Sequence, residues 1–165
     1  MTLPIYPLAQ VLQVKERRVE DAEKVVKEKQ QAVEKEKQVL AQKEAERNKV
    51  KEHYAAKLKQ MRAEMDEGTT SPKIQQMKVY LKIVKEKLAG EEKKVQEQVK
   101  QVEVAEKNLE AARQELKLKR QEVDKFIEHR KDWTKEMRKE QEVIEGREQD
   151  ELGSVIFTTR HRKEK

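Results

Sequence analysis

The sequence has no cysteine, and its 165 residues include only four glycines, three prolines and one tryptophan. The absence of cysteine excludes disulfides, thiolate catalysis and cysteine-ligated metals. Because glycine and proline are scarce, few positions force a helix to end. Aromatic residues make up 4% of the chain and hydrophobic residues 35%. A globular core of normal thickness is therefore not expected.

Long hydrophobic runs are also missing. No apolar stretch approaches the roughly 18 residues that a membrane-spanning helix needs. The first ten residues, MTLPIYPLAQ, lack the basic region and long apolar region of a secretion signal. The sequence therefore predicts a cytoplasmic protein without membrane insertion.

Charged residues of both signs are abundant. They make up 44% of the chain, with 39 Lys and Arg and 33 Asp and Glu. The two signs alternate along the chain, which is typical of a solvated helix face. A nucleic-acid-binding surface would instead cluster its cations beside stacking aromatic residues. No nucleic-acid partner is expected.

Two long rows of residues repeat every seven positions, and each row is apolar or aromatic with a single arginine as its exception. Such a repeat predicts a left-handed coiled coil. The first row is Leu12, Val19, Val26, Val33, Leu40, Arg47, Tyr54 and Met61. The second row is Ile74, Leu81, Leu88, Val95, Val102, Leu109, Leu116, Val123, Arg130, Met137 and Ile144.

The second apolar position of the repeat is poorly occupied in the first row. The residues found there are Lys15, Ala22, Lys29, Glu36, Lys43 and Val50. We therefore expect the seam to widen through the residues that precede the first row, namely Val11, Val25, Ala32 and Val39.

The stretch between the two rows predicts a chain reversal. Gly68 suits the left-handed position that ends a helix, Ser71 is a good N-cap, and Pro72 suits a first helical turn. A short link places consecutive helices antiparallel. The predicted fold is all-α, a long two-helix antiparallel coiled-coil hairpin with unequal arms, in which the numbers of paired residues sum to roughly 139.

The predicted organisation has five parts. Residues 1–7 form an extended lead-in, 8–67 the first coiled-coil helix and 68–71 the turn. Residues 72–152 form the second, longer helix, and 153–165 a basic flexible tail.

The arginine of the first row has two interpretations. In the predicted register Arg47 lies beside Glu91 and Glu92, where an interhelical ion pair would help to fix the register. A simple solvated arginine is the alternative.

The apolar end of the longer helix also has two interpretations. Trp133, Met137 and Ile144 lie beyond the point where the first helix begins. They either pack against the lead-in or offer an apolar stripe to another protein. The lead-in residues concerned are Leu3, Ile5 and Tyr6.

No catalytic motif is present, because the chain lacks a phosphate-binding glycine loop, a nucleophile elbow and metal-ligand spacing. The three histidines, His53, His129 and His161, are scattered. We expect no enzyme activity, no cofactor and no metal.

Several stretches resemble type III secretion proteins of the YscO family, whose wider group includes the flagellar protein FliJ. They are YPLAQVLQVKERRVEDAEKVVKEK from Tyr6, the turn DEGTTS from Asp66, and the later EHRKDW and EQDELG. The resemblance implies a fold similar to the coiled-coil part of the F1 ATPase γ subunit. It also implies a non-enzymatic central stalk that binds the hexameric export ATPase, promotes its assembly and activity, and couples it to the export gate.

The resemblance further implies a place in the bacterial cytoplasm, at the cytoplasmic face of the secretion apparatus. Other implied partners are secretion chaperones and the needle-length or substrate-switch protein. By analogy with the γ subunit, the open end of the hairpin would bind the ATPase, and the turn would point to the gate. The candidate residues at the open end are Leu8, Val11, Phe126, Ile127, Trp133, Met137 and Ile144.

Two alternatives stay open at this stage. The first is a chaperone-escort or chaperone-like adaptor that binds secretion chaperones or substrates through exposed apolar patches. The second is nucleic-acid binding through the basic C-terminal end, which would weaken steeply with salt.

Overall fold

The computed structural model describes residues 4–163, which form two helices and no strand. Helix α1 runs over Ala9–Asp66 and helix α2 over Ser71–Lys163. Lys15 of α1 pairs with Glu122 of α2, and Glu64 pairs with Lys73, so the helices run antiparallel near the predicted register. The predicted all-α, two-helix antiparallel coiled-coil hairpin with unequal arms is confirmed.

The chain reverses at Gly68. Its φ is 86°, and no other described residue has a positive φ. The Gly68 N–H donates to the carbonyl of Met65 at 3.3 Å, which closes the last turn of α1. A side chain would strain this left-handed backbone, so glycine ends the helix at the lowest conformational cost.

Helix α2 starts from the carbonyl of Thr70, which accepts hydrogen bonds from the N–H groups of Lys73 and Ile74 at 3.1 and 3.2 Å. Thr70 is therefore the N-cap, whereas the sequence favoured Ser71. Ser71 and Pro72 occupy the first two helical positions. Proline is tolerated there because the first N–H groups of a helix have no intrahelical acceptor.

Helix α2 continues where a separate tail over 153–165 was predicted. It runs through Gly153 to Lys163, and the remaining two residues lie outside the described part. A single helical glycine costs only about 1 kcal/mol relative to alanine, and no proline follows it. The hydroxyl groups of Ser154 and Thr158 donate to backbone carbonyls about one turn earlier, each at 2.8 Å, as helical geometry allows.

The chain divides into two compact units, and unit 2 is the continuous segment Lys24–Gln114. The buried apolar residues of its core are one residue of α1 and a series in α2 whose three, four and seven spacing is that of a coiled coil. Its buried apolar residues are Val33, Leu81, Val84, Val95, Val102, Leu109 and Ala112.

Gln98 interrupts the core of unit 2 and is itself buried, with only 4% of its surface exposed. Its amide nitrogen donates to the backbone carbonyl of Glu36 at 3.2 Å and also to the Glu36 carboxylate. Its amide oxygen accepts from the Lys43 ammonium at 2.9 Å. Because the amide is satisfied across the two helices, it favours this register over a shifted one.

The expected widening of the α1 seam was wrong. Val11, Val25, Ala32 and Val39 are all exposed. The seam instead runs through the polar second row, where Lys15, Glu36 and Lys43 are half-buried and bond across to α2. Long side chains cover the seam with their stems while their polar ends reach a partner.

The expected ion pair of Arg47 does not form. The Arg47 guanidinium donates to the Asn48 side-chain oxygen at 2.9 and 3.2 Å. Glu91 pairs instead with Lys94 on its own helix at 2.9 Å, and Glu92 is exposed. Here the Glu91 carboxylate has its partner one turn along its own helix, and the Arg47 guanidinium has its partner in Asn48.

Unit 1 consists of Met1–Glu23 and Glu115–Lys165. Tyr6, Leu12, Ala22 and Leu116 are its buried apolar residues among those described. Residues 4–8, which precede α1, are not helical, and residues 1–3 lie outside the described part of the chain. No described helix of either unit is long and apolar enough to cross a membrane.

Candidate partner-binding site

An aromatic cluster anchors the lead-in in unit 1. Tyr6 is only 7% exposed, and its hydroxyl lies 2.7 Å from Nδ1 of His129. The Tyr6 and Trp133 rings meet edge to face, with centroids 5.5 Å apart. Such aromatic pairs add about 0.5–1.5 kcal/mol beyond the area they bury. The cluster fixes the lead-in against α2.

The two interpretations of the apolar end therefore apply to different residues. Trp133 packs against Tyr6 of the lead-in, as the first interpretation expected. Ile5 is exposed, and Leu3 lies outside the described residues. Ile144 is exposed, which leaves the second interpretation in place for this residue.

The seven candidate residues of the open end also divide into two groups. Half-buried side chains are those of Leu8, Phe126, Ile127, Trp133 and Met137. Exposed side chains are those of Val11 and Ile144. The half-buried group is partly covered within unit 1, as Trp133 is by Tyr6 of the lead-in, whereas Ile144 is open to solvent.

A further apolar surface follows Ile144 on α2. Leu152, Val155 and Ile156 are exposed and share a helix face through i,i+3 and i,i+4 spacing. Val155 lies eleven residues after Ile144, about three helical turns, and so on the same side. We call these four residues the C-terminal apolar face. Isolated exposed apolar residues are ordinary, but a row of them along one helix marks an interaction surface.

Cationic side chains are frequent on the turns of α2 that precede this surface, mostly on another face of the helix. They line a groove of about 500 Å³. The lining residues are Arg130, Lys131, Thr134, Lys135, Arg138, Lys139 and Glu142. Five cations against one carboxylate favour an acidic surface on whatever binds there.

Ion pairs brace α1 against α2 in the same unit. The Lys15 ammonium lies 2.6 Å from the Glu122 carboxylate, and Arg120 lies 2.7 Å from Glu23. The hydrogen bond from Lys15, together with its positive charge, holds the pKa of Glu122 below its ordinary value. These exposed pairs contribute little stability each, but they keep the two helices in register.

The histidines and carboxylates were the candidates for a metal site over the described residues. They contain no group of three or more side chains that could hold a metal ion. The ring nitrogens of His53 and His129 bond to tyrosine hydroxyls, those of Tyr80 and Tyr6. The side chain of His161 lies outside the described part.

Sequence reasoning missed two features. The first is His129, which meets Tyr6 across 123 residues. The second is the exposed apolar group Val79, Tyr80 and Ile83 in unit 2. The sequence could have indicated this group, because these three apolar or aromatic residues do not belong to the seven-residue row that includes Leu81.

The fold defines a class of protein, the two-helix coiled-coil hairpin. The sequence matches the YscO-like protein family over residues 3–163. A search of curated proteins found no match.

Among solved structures, the chain is similar to a YscO homolog, CT670, from Chlamydia trachomatis. The two are 44% identical, with a TM-score of 0.91 over 99% of each chain. The chain therefore belongs to the YscO-like family, and it is a component of a type III secretion apparatus. This is not a known enzyme family.

Proposed function

We propose that the chain is a non-enzymatic central stalk that binds the hexameric export ATPase, promotes its assembly and activity, and couples it to the export gate. It would act in the cytoplasm, at the face of the secretion apparatus. The observation that carries the proposal is the exposed C-terminal apolar face of unit 1, which extends α2 beyond its pairing with α1. Family membership supplies the partners.

The surface suits a partner that must be held and released. Apolar side chains such as Leu152 and Ile156 give contact area, while the cationic groove before them adds attraction that water and salt weaken. A stalk in a cycling motor needs contacts of this moderate strength, because tight apolar burial would lock one state. In this proposal the turn at Gly68 points towards the gate.

The test uses the doubly substituted chain Leu152→Lys with Ile156→Lys. We expect it to stimulate hydrolysis by the purified export ATPase at least about five-fold less than the unchanged chain, because two buried contacts become buried charges. The matched control is Leu118→Lys, since Leu118 and Leu152 are both 62% exposed. Circular dichroism checks that both variants stay helical.

Full stimulation by the double variant would contradict the assignment of this face to the ATPase. A chain that ends at Asp150 extends the test, because it removes most of the C-terminal apolar face and leaves the Tyr6 cluster in place. We expect stimulation to fall with it as well. Reduced stimulation by Leu118→Lys to the same degree would show a general effect of added lysines.

Escort of secretion chaperones is the second candidate function. The exposed apolar group Val79, Tyr80 and Ile83 favours it, since unit 2 has no use for these side chains in its own core. Titration of a purified secretion chaperone, and separately of the needle-length protein, would reveal direct binding. Binding that Ile83→Gln leaves unchanged would remove this support.

A further inference from the structure

Three grooves of unit 2 converge on one tyrosine. Tyr80 lines all of them, and it is 44% exposed. One groove, of about 420 Å³, is lined by residues that we call the Tyr80 patch. The patch consists of Gln75, Gln76, Val79, Tyr80 and Ile83.

The apolar side chains of the patch point away from α1. Val79 is 60% and Ile83 58% exposed, while the neighbouring Leu81 and Val84 are buried against α1. Val79 and Ile83 are one turn apart, so they form a short apolar ridge. Exposed apolar ridges with polar surroundings are typical of binding surfaces.

Tyr80 is already held in place before anything binds. Its hydroxyl lies 2.8 Å from Nε2 of His53 on α1, and the two rings stand at 77° with centroids 6.1 Å apart. A side chain fixed in this way loses little entropy on binding. Tyrosine is also among the residues that most often dominate the energy of an interface.

The charges around the patch are almost all positive. From residue 73 to 87 the chain has one acid, Glu86, and five lysines. These lysines are Lys73, Lys78, Lys82, Lys85 and Lys87. Lys49 and Lys87 line the second groove beside Tyr80.

Most of these cations are available to a partner. Within residues 4–159, whose side chains the structure describes, Lys73 pairs with Glu64, whereas Lys82, Lys87 and Lys49 form no ion pair. We propose that the Tyr80 patch docks an acidic amphipathic helix of a partner protein. The partner's apolar residues cover Val79 and Ile83, and its carboxylates meet the unpaired lysines.

The size of the surface fits this occupant. Gln76 to Lys87 spans about 16 Å, or roughly three turns of helix, the contact length of two crossing helices. A second copy of this chain is a poor occupant, because it would bring the same lysines against Lys82 and Lys87. A nucleic acid fits less well, since single strands stack on several aromatic rings and the patch offers only Tyr80.

The experiment is a selection from a displayed library of helical 20-residue peptides, with the full-length chain as bait. We expect enrichment of peptides with apolar residues at i,i+3 or i,i+4 and i+7 and an excess of Asp and Glu on the flanks. Chemical-shift changes in the labelled chain on adding a selected peptide should centre on residues 75–87. The assay contains no ATPase, so its outcome is independent of the central-stalk function.

Variants make the test decisive. Val79→Gln with Ile83→Gln should weaken a selected peptide at least ten-fold, and Val104→Gln, which is 52% exposed in the same unit, should leave it unchanged. Lys82→Glu with Lys87→Glu should shift the selection towards basic peptides. All five substituted residues are on the surface, so the chain stays folded.

Three results would overturn the proposal. The first is the absence of any enriched peptide, or enrichment without an acidic excess. The second is equal binding of the peptides by Val79→Gln with Ile83→Gln. The third is preferential binding of a 20-nucleotide single strand, which would assign the patch to a nucleic acid. Self-association of the unchanged chain that Val79→Gln with Ile83→Gln abolishes would likewise assign the patch to a second copy.

Discussion

Units 1 and 2 pair the same two helices but finish their seams differently. Unit 2 buries Gln98 at its centre and satisfies it from Glu36 and Lys43 of α1. Unit 1 ends its pairing in the Tyr6 and Trp133 rings, and α2 then continues with Ile144 exposed. Unit 2 therefore uses a buried polar side chain to specify its own register, whereas unit 1 leaves apolar side chains of α2 exposed to solvent.

The largest expected effect comes from removing the anchor of unit 1. Tyr6→Ala loses a buried ring, its contact with Trp133 and its bond to His129, which should cost about 2–4 kcal/mol of unfolding free energy. Trp133 is the only tryptophan, so its emission during urea unfolding reports this unit.

Tyr80→Ala is the control for this substitution, because Tyr80 lies in unit 2 and is 44% exposed, against 7% for Tyr6. It should leave the Trp133 transition unchanged. An equal shift in both variants would refute the local role of Tyr6. Tyr6→Phe separates ring from hydroxyl and should cost about 1 kcal/mol.

The next effect tests register specification in unit 2. Gln98→Leu replaces a buried amide by an apolar side chain and should raise the unfolding free energy by about 1 kcal/mol or more, while lowering the uniqueness of the pairing. Because the chain has no cysteine, spin labels are easily placed at Lys37 and Glu106, which pair across the helices at 2.9 Å.

The distance distribution between these labels is the readout. It should show one narrow peak for the unchanged chain and a broader distribution for Gln98→Leu. A narrow peak in both would mean that Gln98 does not select the register. Val99→Leu, at the exposed neighbouring position, is the control for added leucine.

A smaller effect concerns the reversal that unit 2 contains. Gly68→Ala should cost about 1 kcal/mol, because alanine disfavours a φ of 86°. Gly90→Ala is a matched control, since an added Cβ meets nothing within 4 Å at either position. Gly90 lies inside α2, so its replacement should stabilise by up to about 1 kcal/mol. Thermal unfolding measures both, and shifts of the same sign would contradict the argument.

The smallest effect concerns charge in unit 1. Hydrogen bonding to Lys15 lowers the pKa of Glu122, so its contribution is complete above the ordinary carboxyl pKa of 4.5 and is lost as the pH falls through the lower folded value. Glu122→Gln should lower the melting temperature at pH 7 by less than about 2 °C. The difference should disappear in strong acid. Glu128→Gln is the control, and a pH-independent difference would exclude titration as the cause.

The sequence was sufficient for the main architecture. The spacing from Leu12 and from Ile74 predicted two paired helices, and the Gly68 stretch predicted the point of reversal. These features depend on period and on backbone conformation, which local sequence determines.

Which side chains pair with each other across the hairpin could not be predicted from the sequence in the same way. The ion pair expected for Arg47 failed because Glu91 had a closer partner in Lys94, and the bond between Tyr6 and His129 joins distant positions. Which side chains pair depends on side-chain geometry across the two helices, and the amino-acid composition does not determine that geometry. The candidate site was found in part, since Ile144 was named and Leu152 was not.

A single reversal at Gly68 also orders the loops that folding must close. His53 and Tyr80 meet across 27 residues, Glu23 and Arg120 across 97, and Tyr6 and His129 across 123. Loop-closure entropy rises with separation, so contacts beside the turn form at the lowest cost and each one shortens the loop left for the next. Folding should therefore begin at the turn and proceed along the paired helices away from it. The contact of Tyr6 that anchors the lead-in should form last.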